Sequence, residues 1–324
     1  MIKRANQTIT GKAFEYSLLN AFKERLQSIT NVQVIENVPY QTALKYYNSL
    51  NKAERSHDDL AASFAVNFLI DIEPRLSNSL SKEDILQLEI VSGQRGQNGD
   101  VRDVLAIRAW QKWEIGVSAK HHHRAVKHPR LSNDIDFGKE WLSSSCSQEY
   151  FEEIKPIFSM LKEIRKKSNN TQTWESLGNY HKTVYEPILS AFKKELERLN
   201  KQNPTVIANR LVKYLIGNQD FYKIIKGKGK VEIQAFNLYG SLNLPFENIK
   251  PKTNVPKLKL PNRLIEIVSQ DDSNTTLLVV LNEGWQISFR IHNASSRIEP
   301  SLKFDVNLVS SPHTLFVNQL FLPQ

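Results

Sequence analysis

The sequence predicts an α/β (α+β) protein, in which helices and a strand pair fill the first two thirds and a β-rich region follows. Three observations predict this: apolar residues at helical spacing near the amino terminus, two strand-like runs joined by a polar turn within residues 101–120, and short alternating segments after residue 230. With 324 residues and 40% hydrophobic content, the chain can bury a sizeable core.

Ala13, Phe14, Leu18, Leu19, Phe22 and Leu26 recur three or four residues apart, so residues 11–25 read as an amphipathic helix with Thr10 as its cap. A second helix is expected over 56–72, with Asp58 and Asp59 in a first turn where the helix dipole favours negative charge. Residues 86–91 read as a short strand, and 92–99 as a polar loop punctuated by Gly93, Gly96 and Gly99. Strands follow at 101–109 and 113–120, and residues 137–200 are mostly helical. The lysine-glycine stretch 223–230 marks a change of composition, after which 231–236, 277–282, 286–292 and 302–309 alternate as strands do, with residues 293–296 as a turn. This divides the chain into residues 1–222, carrying a helical insertion at about 137–200, and a β-rich region at 223–324.

The charge balance, 43 Lys+Arg against 34 Asp+Glu for a net +9, favours a polyanionic partner. Basic residues sit inside segments that read as folded, at 120–130 and 223–230, as a binding face requires. No apolar run reaches the roughly 18 residues of a membrane span, and the amino terminus lacks the apolar stretch of a secretory signal, so a cytoplasmic protein is expected. The single cysteine, Cys146, excludes an internal disulfide and a multi-cysteine zinc site.

The chemistry concentrates in the hairpin. With Gln111-Lys112 as a two-residue loop, Trp110 faces Trp113 and Asp103 lies opposite Lys120; Ser118, two residues earlier, points the same way. A four-residue loop is expected to give the same pairing, whereas a three-residue loop flips one strand's face and breaks the cluster. The opposite face carries Val104, Ala106, Trp113, Ile115, Val117 and Ala119, a core surface. A carboxylate beside an amine at the open end of such a hairpin suits metal-assisted phosphodiester hydrolysis: the carboxylate holds Mg²⁺, a hard cation, and the lysine positions or activates the attacking water. Adjacent strand residues point to opposite faces, so of His121-His122-His123 only His121 and His123 could share a ligand, and nothing completes a zinc site.

These residues resemble a family. Gly99-Asp100-Val101-Arg102-Asp103-Val104-Leu105, Glu114-Ile115-Gly116-Val117-Ser118-Ala119-Lys120-His121, Ala125-Val126-Lys127-His128-Pro129-Arg130-Leu131-Ser132 with Asp136-Phe137-Gly138, and Gly284-Trp285-Gln286-Ile287-Ser288-Phe289-Arg290-Ile291-His292-Asn293-Ala294 are similar, in this order, to the HaeIII-type type II restriction endonucleases. The resemblance implies a PD-(D/E)xK nuclease core with a mixed central sheet flanked by helices, Mg²⁺ dependence, cleavage of double-stranded DNA within GGCC to leave blunt ends with 5′-phosphates, and a separate cognate DNA methyltransferase. It makes 1–222 the nuclease core and 223–324 the DNA-recognition region. Palindromic targets favour a two-fold homodimer.

Carried over, Asp103 takes the place of the metal-binding aspartate, with Asp100 its alternative, and Lys120 that of the catalytic lysine. Ser118 stands where the second acidic residue is expected, so a carboxylate must come from elsewhere. Asp134, Asp136 and Glu140 are available, Asp136 being preferred; Glu15 on the first helix is another candidate, and Glu114 lies too far along the strand. His121, His123, Arg124, Lys127, His128 and Arg130 read as a phosphate-contacting track, and Arg290, Asn293, Arg297 and Lys303 as candidates for reading base edges. A non-catalytic DNA-binding protein would share the charge but leave the Asp103 and Lys120 pair without a role. A small-molecule phosphohydrolase would need a glycine-rich loop that opens a helix, whereas a strand follows residues 93–99.

Overall fold

A computed structural model describes residues 2–92, 99–121, 125–271 and 273–323. The described residues form two compact units, each built from separate stretches of chain: 1–124, 217–259 and 314–324 make the first, and 125–216 with 260–313 the second. The expected cut between residues 222 and 223 therefore falls inside a strand of the first unit, because the chain leaves that unit at 124 and returns at 217.

In the first unit α1 (Ile2–Leu26), α2 (Val38–Ser49) and α3 (Lys52–Ile72) accompany β1 (Val32–Ile35), β2 (Leu86–Ile90), β3 (Val104–Arg108), β4 (Trp113–His121), β7 (Phe221–Lys226), β8 (Lys230–Phe236) and β13 (Phe316–Phe321). The strands make one mixed sheet in the order β1-β2-β3-β4-β7-β8-β13, with parallel pairing at β1–β2 and β4–β7. Phe14, Leu18 and Phe22 of α1 and Ala62, Val66 and Leu69 of α3 are buried in one cluster with Val104, Ala106, Ile115, Val117, Tyr222 and Ile224. The face of the hairpin expected to be hidden is this core surface, and alternation sends the intervening residues to the other face.

Three helical details differ from expectation. The first helix starts well before residue 11, so Thr10 lies inside it and its hydroxyl donates back to the Gln7 carbonyl (3.2 Å) rather than capping. The second starts at Lys52, where Asn51 and Glu54 form a reciprocal capping box. Asp58 and Asp59 consequently miss the first turn: Asp58 is buried against the Lys226 ammonium, and Asp59 accepts from Ser17 and Tyr47. Lys223 and Lys226 are both buried, so half of the lysines in the 223–230 tract are interior rather than part of a binding face.

The second unit pairs β5 (Ala125–Lys127) and β6 (Arg130–Leu131) with β12 (Leu302–Ser310), followed by β11 (Gln286–His292), β10 (Thr276–Leu281) and β9 (Leu264–Ser269). Its helices are α4 (Phe137–Leu142), α5 (Gln148–Lys167), α6 (Glu186–Gln202) and α7 (Ile207–Ile216). Phe137, Trp141, Phe192, Phe289 and Phe304 form its aromatic core. The helices at 137–200 thus share a core with β11 and β12, which explains how a central stretch of sequence and the tail become one unit.

Candidate active site

The hairpin at the centre of the first sheet carries the site. Arg108 pairs with Trp113 and Val104 with Val117, so the loop is the four residues 109–112 and not the two expected. Arg108 explains the difference. It is fully buried, its guanidinium donates to the carbonyls of Arg75, Asp84 and Leu76 and faces the Asp84 carboxylate at 3.5 Å, and this fixes it as the last paired residue of β3. Trp110 is left exposed in the loop, whereas Trp113, Trp141, Trp174 and Trp285 are buried.

A shift of two residues keeps every side chain on its face but moves Asp103 across from Ser118, with Lys120 one step further toward the open end. The Asp103 amide donates to the Val117 carbonyl at 2.8 Å, and its carbonyl accepts from Val91 at 3.0 Å. Three donors then converge on Asp103 Oδ2: the Ala119 amide at 2.8 Å, Ser118 Oγ at 3.3 Å and Lys120 Nζ at 3.3 Å. The Asp103 and Lys120 side chains keep 23% and 31% of their exposure, so the pair is reachable from solvent at the strand end. Oδ1 receives no described donor, so a cation could reach it.

Glu15 is the acidic residue that joins them. Glu15, the candidate on the first helix, is only 5% exposed. Burial, reinforced by the nearby Asp103 carboxylate, pushes its carboxyl up to about 8 against the opposing pull of Lys12, which bonds it at 2.8 Å, and of Lys120. Two carboxyl groups that repel one another beside a lysine form a site that a divalent cation would relieve. Among the described residues no cluster of three or more His, Cys, Asp or Glu forms a cation cage. A pair of carboxylates nevertheless fits Mg²⁺, which typically takes one or two and completes its shell with water and phosphate.

Of the other acidic candidates, Asp100, Asp136 and Glu114 already hold partners. Asp100 holds Arg102 through both oxygens, at 2.8 Å to Nε and 2.9 Å to Nη2, and so serves an ion pair rather than a cation. Asp136 belongs to the second unit, where its Oδ1 caps α4 by accepting the amides of Lys139 (2.9 Å) and Cys146 (3.0 Å). Glu114 bonds Arg102 Nη1 at 2.7 Å.

The expected phosphate track is only partly available. His121 ends β4 half-buried, and His123 and Arg124 lie outside the described residues. Lys127 turns away: its ammonium donates to the Tyr214 carbonyl at 2.8 Å and lies 3.5 Å from that ring's centre, and desolvation lowers its pKa to about 8. Arg130 bonds Ser301 at 2.9 Å and Lys303 is its cross-strand partner; Lys303 in turn pairs with His292, which makes a polar row across three strands. In the neighbouring row Arg290 bonds Asp305 at 2.9 Å, and His128 Nδ1 approaches the same carboxylate at 3.5 Å. Asn293 is spent on its turn, its side chain donating to the Ser295 carbonyl, while Arg297 keeps an exposed side chain on an anchored backbone.

The sequence reading gave no role to two residues, Arg102 and Gly116. A Cβ on Gly116 would overlap the Cβ, Cγ and Cδ of Arg102, so the missing side chain of one makes room for the other. The signal lay in the small residue amid the apolar run of β4.

A family model described as HaeIII restriction endonuclease matches residues 11–312. A relative from Haemophilus aegyptius, "Type II restriction enzyme HaeIII", is 39% identical over 308 residues, covering 94% of this chain and 95% of that protein. No solved structure matches. Among the described residues no helix is long and apolar enough to cross a membrane. Matched almost from end to end by both comparisons, the chain belongs to the HaeIII restriction endonuclease family and is a type II site-specific DNA endonuclease.

Proposed function

We propose that this endonuclease cuts double-stranded DNA within GGCC to give blunt ends with 5′-phosphates, using Mg²⁺ held by Asp103 and Glu15 in a PD-(D/E)xK core. The observation that carries this reading is the convergence of Ser118, the Ala119 amide and Lys120 on one oxygen of Asp103, with the Glu15 carboxyl in the same field. When bound, Mg²⁺ supplies Lewis acidity to the phosphate and neutralises charge on the departing oxygen. Ser118 and the Ala119 amide fix the carboxylate, and Lys120 orients the attacking water. Water adds to phosphorus, the bond to the 3′ oxygen breaks, that oxygen gains a proton, and the phosphate stays on the 5′ end.

The polar rows of the second unit, with Arg130, Lys303 and Arg290, are proposed to read the target, since guanine is recognised best by Arg and Lys side chains at O6 and N7. A homodimer would match the symmetry of GGCC and put one site on each strand. A separate methyltransferase would protect the host sites. Digesting a plasmid with and without Mg²⁺ and sequencing the ends tests the reading. Blunt termini within GGCC, lost after methylation of the site, are expected; cutting at another sequence overturns the specificity.

A second expectation concerns pH. Glu15 has a pKa of about 8 in the fold against 4.5 for an ordinary glutamate, so its contribution to stability is fully present below pH 4.5 and is lost as pH rises through 8. Cation binding must displace that proton. The half-saturating Mg²⁺ concentration for cleavage should fall by up to about tenfold per pH unit between pH 6 and 8. Glu15→Gln should flatten the slope. A slope preserved in that variant assigns the proton to another group.

A further inference from the structure

We infer that Arg102 is a positioning residue that sets the Asp103 carboxylate, acting as a clamp between the loop before β3 and the middle of β4. The inference rests on the reading of Asp103 given above.

Arg102 is buried and immediately precedes Asp103. Its guanidinium is held on both sides: Nε and Nη2 bond the two Asp100 oxygens, and Nη1 bonds Glu114 at 2.7 Å on β4. Asp100 also accepts the Arg102 amide at 3.2 Å, closing a tight turn. The stem crosses Gly116, and that crossing is possible only because Gly116 has no side chain. Upstream, the Gly99 carbonyl accepts the Asn218 amide at 3.1 Å, and Gly217, with φ of +99°, leaves room for that carbonyl. Downstream, the Asp103 amide bonds Val117.

The segment 99–103 is therefore anchored at both ends, and Arg102 is its side-chain anchor to the strand that carries Ser118 and Lys120. A bidentate guanidinium fixes direction as well as distance, which a lysine could not do. Released from it, Asp103 keeps only its backbone bonds to Val117 and Val91, and the carboxylate oxygen loses its register with the Ala119 amide. None of the three clamp residues needs to touch DNA or the cation.

Gly116→Ala displaces the clamp while leaving all charges in place, and Arg102→Met removes it. In the full chain each is expected to lower kcat and raise the half-saturating Mg²⁺ concentration by about tenfold or more, the usual effect of losing a residue that orients a ligand. Binding to cognate DNA without metal should stay within about twofold. The Ala119 amide, which reports the Asp103 contact directly, should shift in the NMR spectrum and lose exchange protection. In an Arg102→Ala background Gly116→Ala should add nothing further, because the pair acts as one unit.

Folded Gly116→Ala and Arg102→Met proteins with an unmoved Ala119 amide and an unchanged Mg²⁺ requirement would overturn the inference. So would additive losses in the double variant. Should Arg102→Met fail to fold, Gly116→Ala and Asp100→Asn decide by the same readouts. Asp103→Asn separates the two readings: if it still cuts, the assignment of Asp103 fails, and if it is inactive while the clamp variants match the parent protein, only the clamp fails.

Discussion

Asp103→Asn is expected to reduce DNA cleavage by at least about a thousandfold, about 4 kcal/mol of transition-state stabilisation, while leaving sequence-specific binding in place. The substitution keeps size and hydrogen-bonding shape but removes the charge that would hold the cation, and it offers Ser118, Ala119 and Lys120 an amide in place of a carboxylate. Binding should survive because phosphate attraction draws on the net charge of +9, to which the variant adds one positive unit. Gel-shift affinity at fixed salt, beside plasmid cleavage over a range of Mg²⁺, gives both numbers. A variant that cuts at near the parent rate would exclude Asp103 from the cation site.

Lys120→Met should cost about a hundredfold to ten-thousandfold in kcat, the range for removing a group that orients or deprotonates a nucleophile. Lys120 Nζ lies 3.3 Å from Asp103 Oδ2 and its side chain is about one-third exposed, so the ammonium reaches toward solvent as well as toward the carboxylate. Methionine preserves the apolar stem and so isolates the charge. The half-saturating Mg²⁺ concentration should change much less than kcat, which distinguishes this residue from Asp103. Single-turnover rates on a short duplex containing the target test the split. A large rise in Mg²⁺ requirement with little change in kcat would make Lys120 a support for the cation site instead of a partner of the water.

Much of the site was legible because strand alternation is a period of two. Asp103, Ser118 and Lys120 share a face whether the loop has two residues or four, so an error in register left the cluster intact. The register itself was not legible, since it depends on Arg108 finding carbonyls at residues 75, 76 and 84, contacts that no local pattern records. Glu15 was placed on the right helix, but its burial follows from how α1 meets the sheet. Asp136 and Lys127 misled for a related reason: each is the right residue type at a plausible position, and each is consumed by a neighbour, a helix cap for one and the Tyr214 carbonyl for the other. The domain plan failed where pairing is long-range. Residues 125–131 complete a sheet with 302–310, and sequence proximity gives no hint of it.

The most direct measurement is a crystal structure of the protein with duplex DNA containing GGCC and Mn²⁺ in place of Mg²⁺, read by anomalous scattering. The account predicts a peak within bonding distance of Asp103 Oδ1 and the Glu15 carboxylate, with Lys120 beside the water that faces phosphorus. A cation held by other carboxylates, with Asp103 still turned wholly toward Ser118 and Ala119, would contradict it.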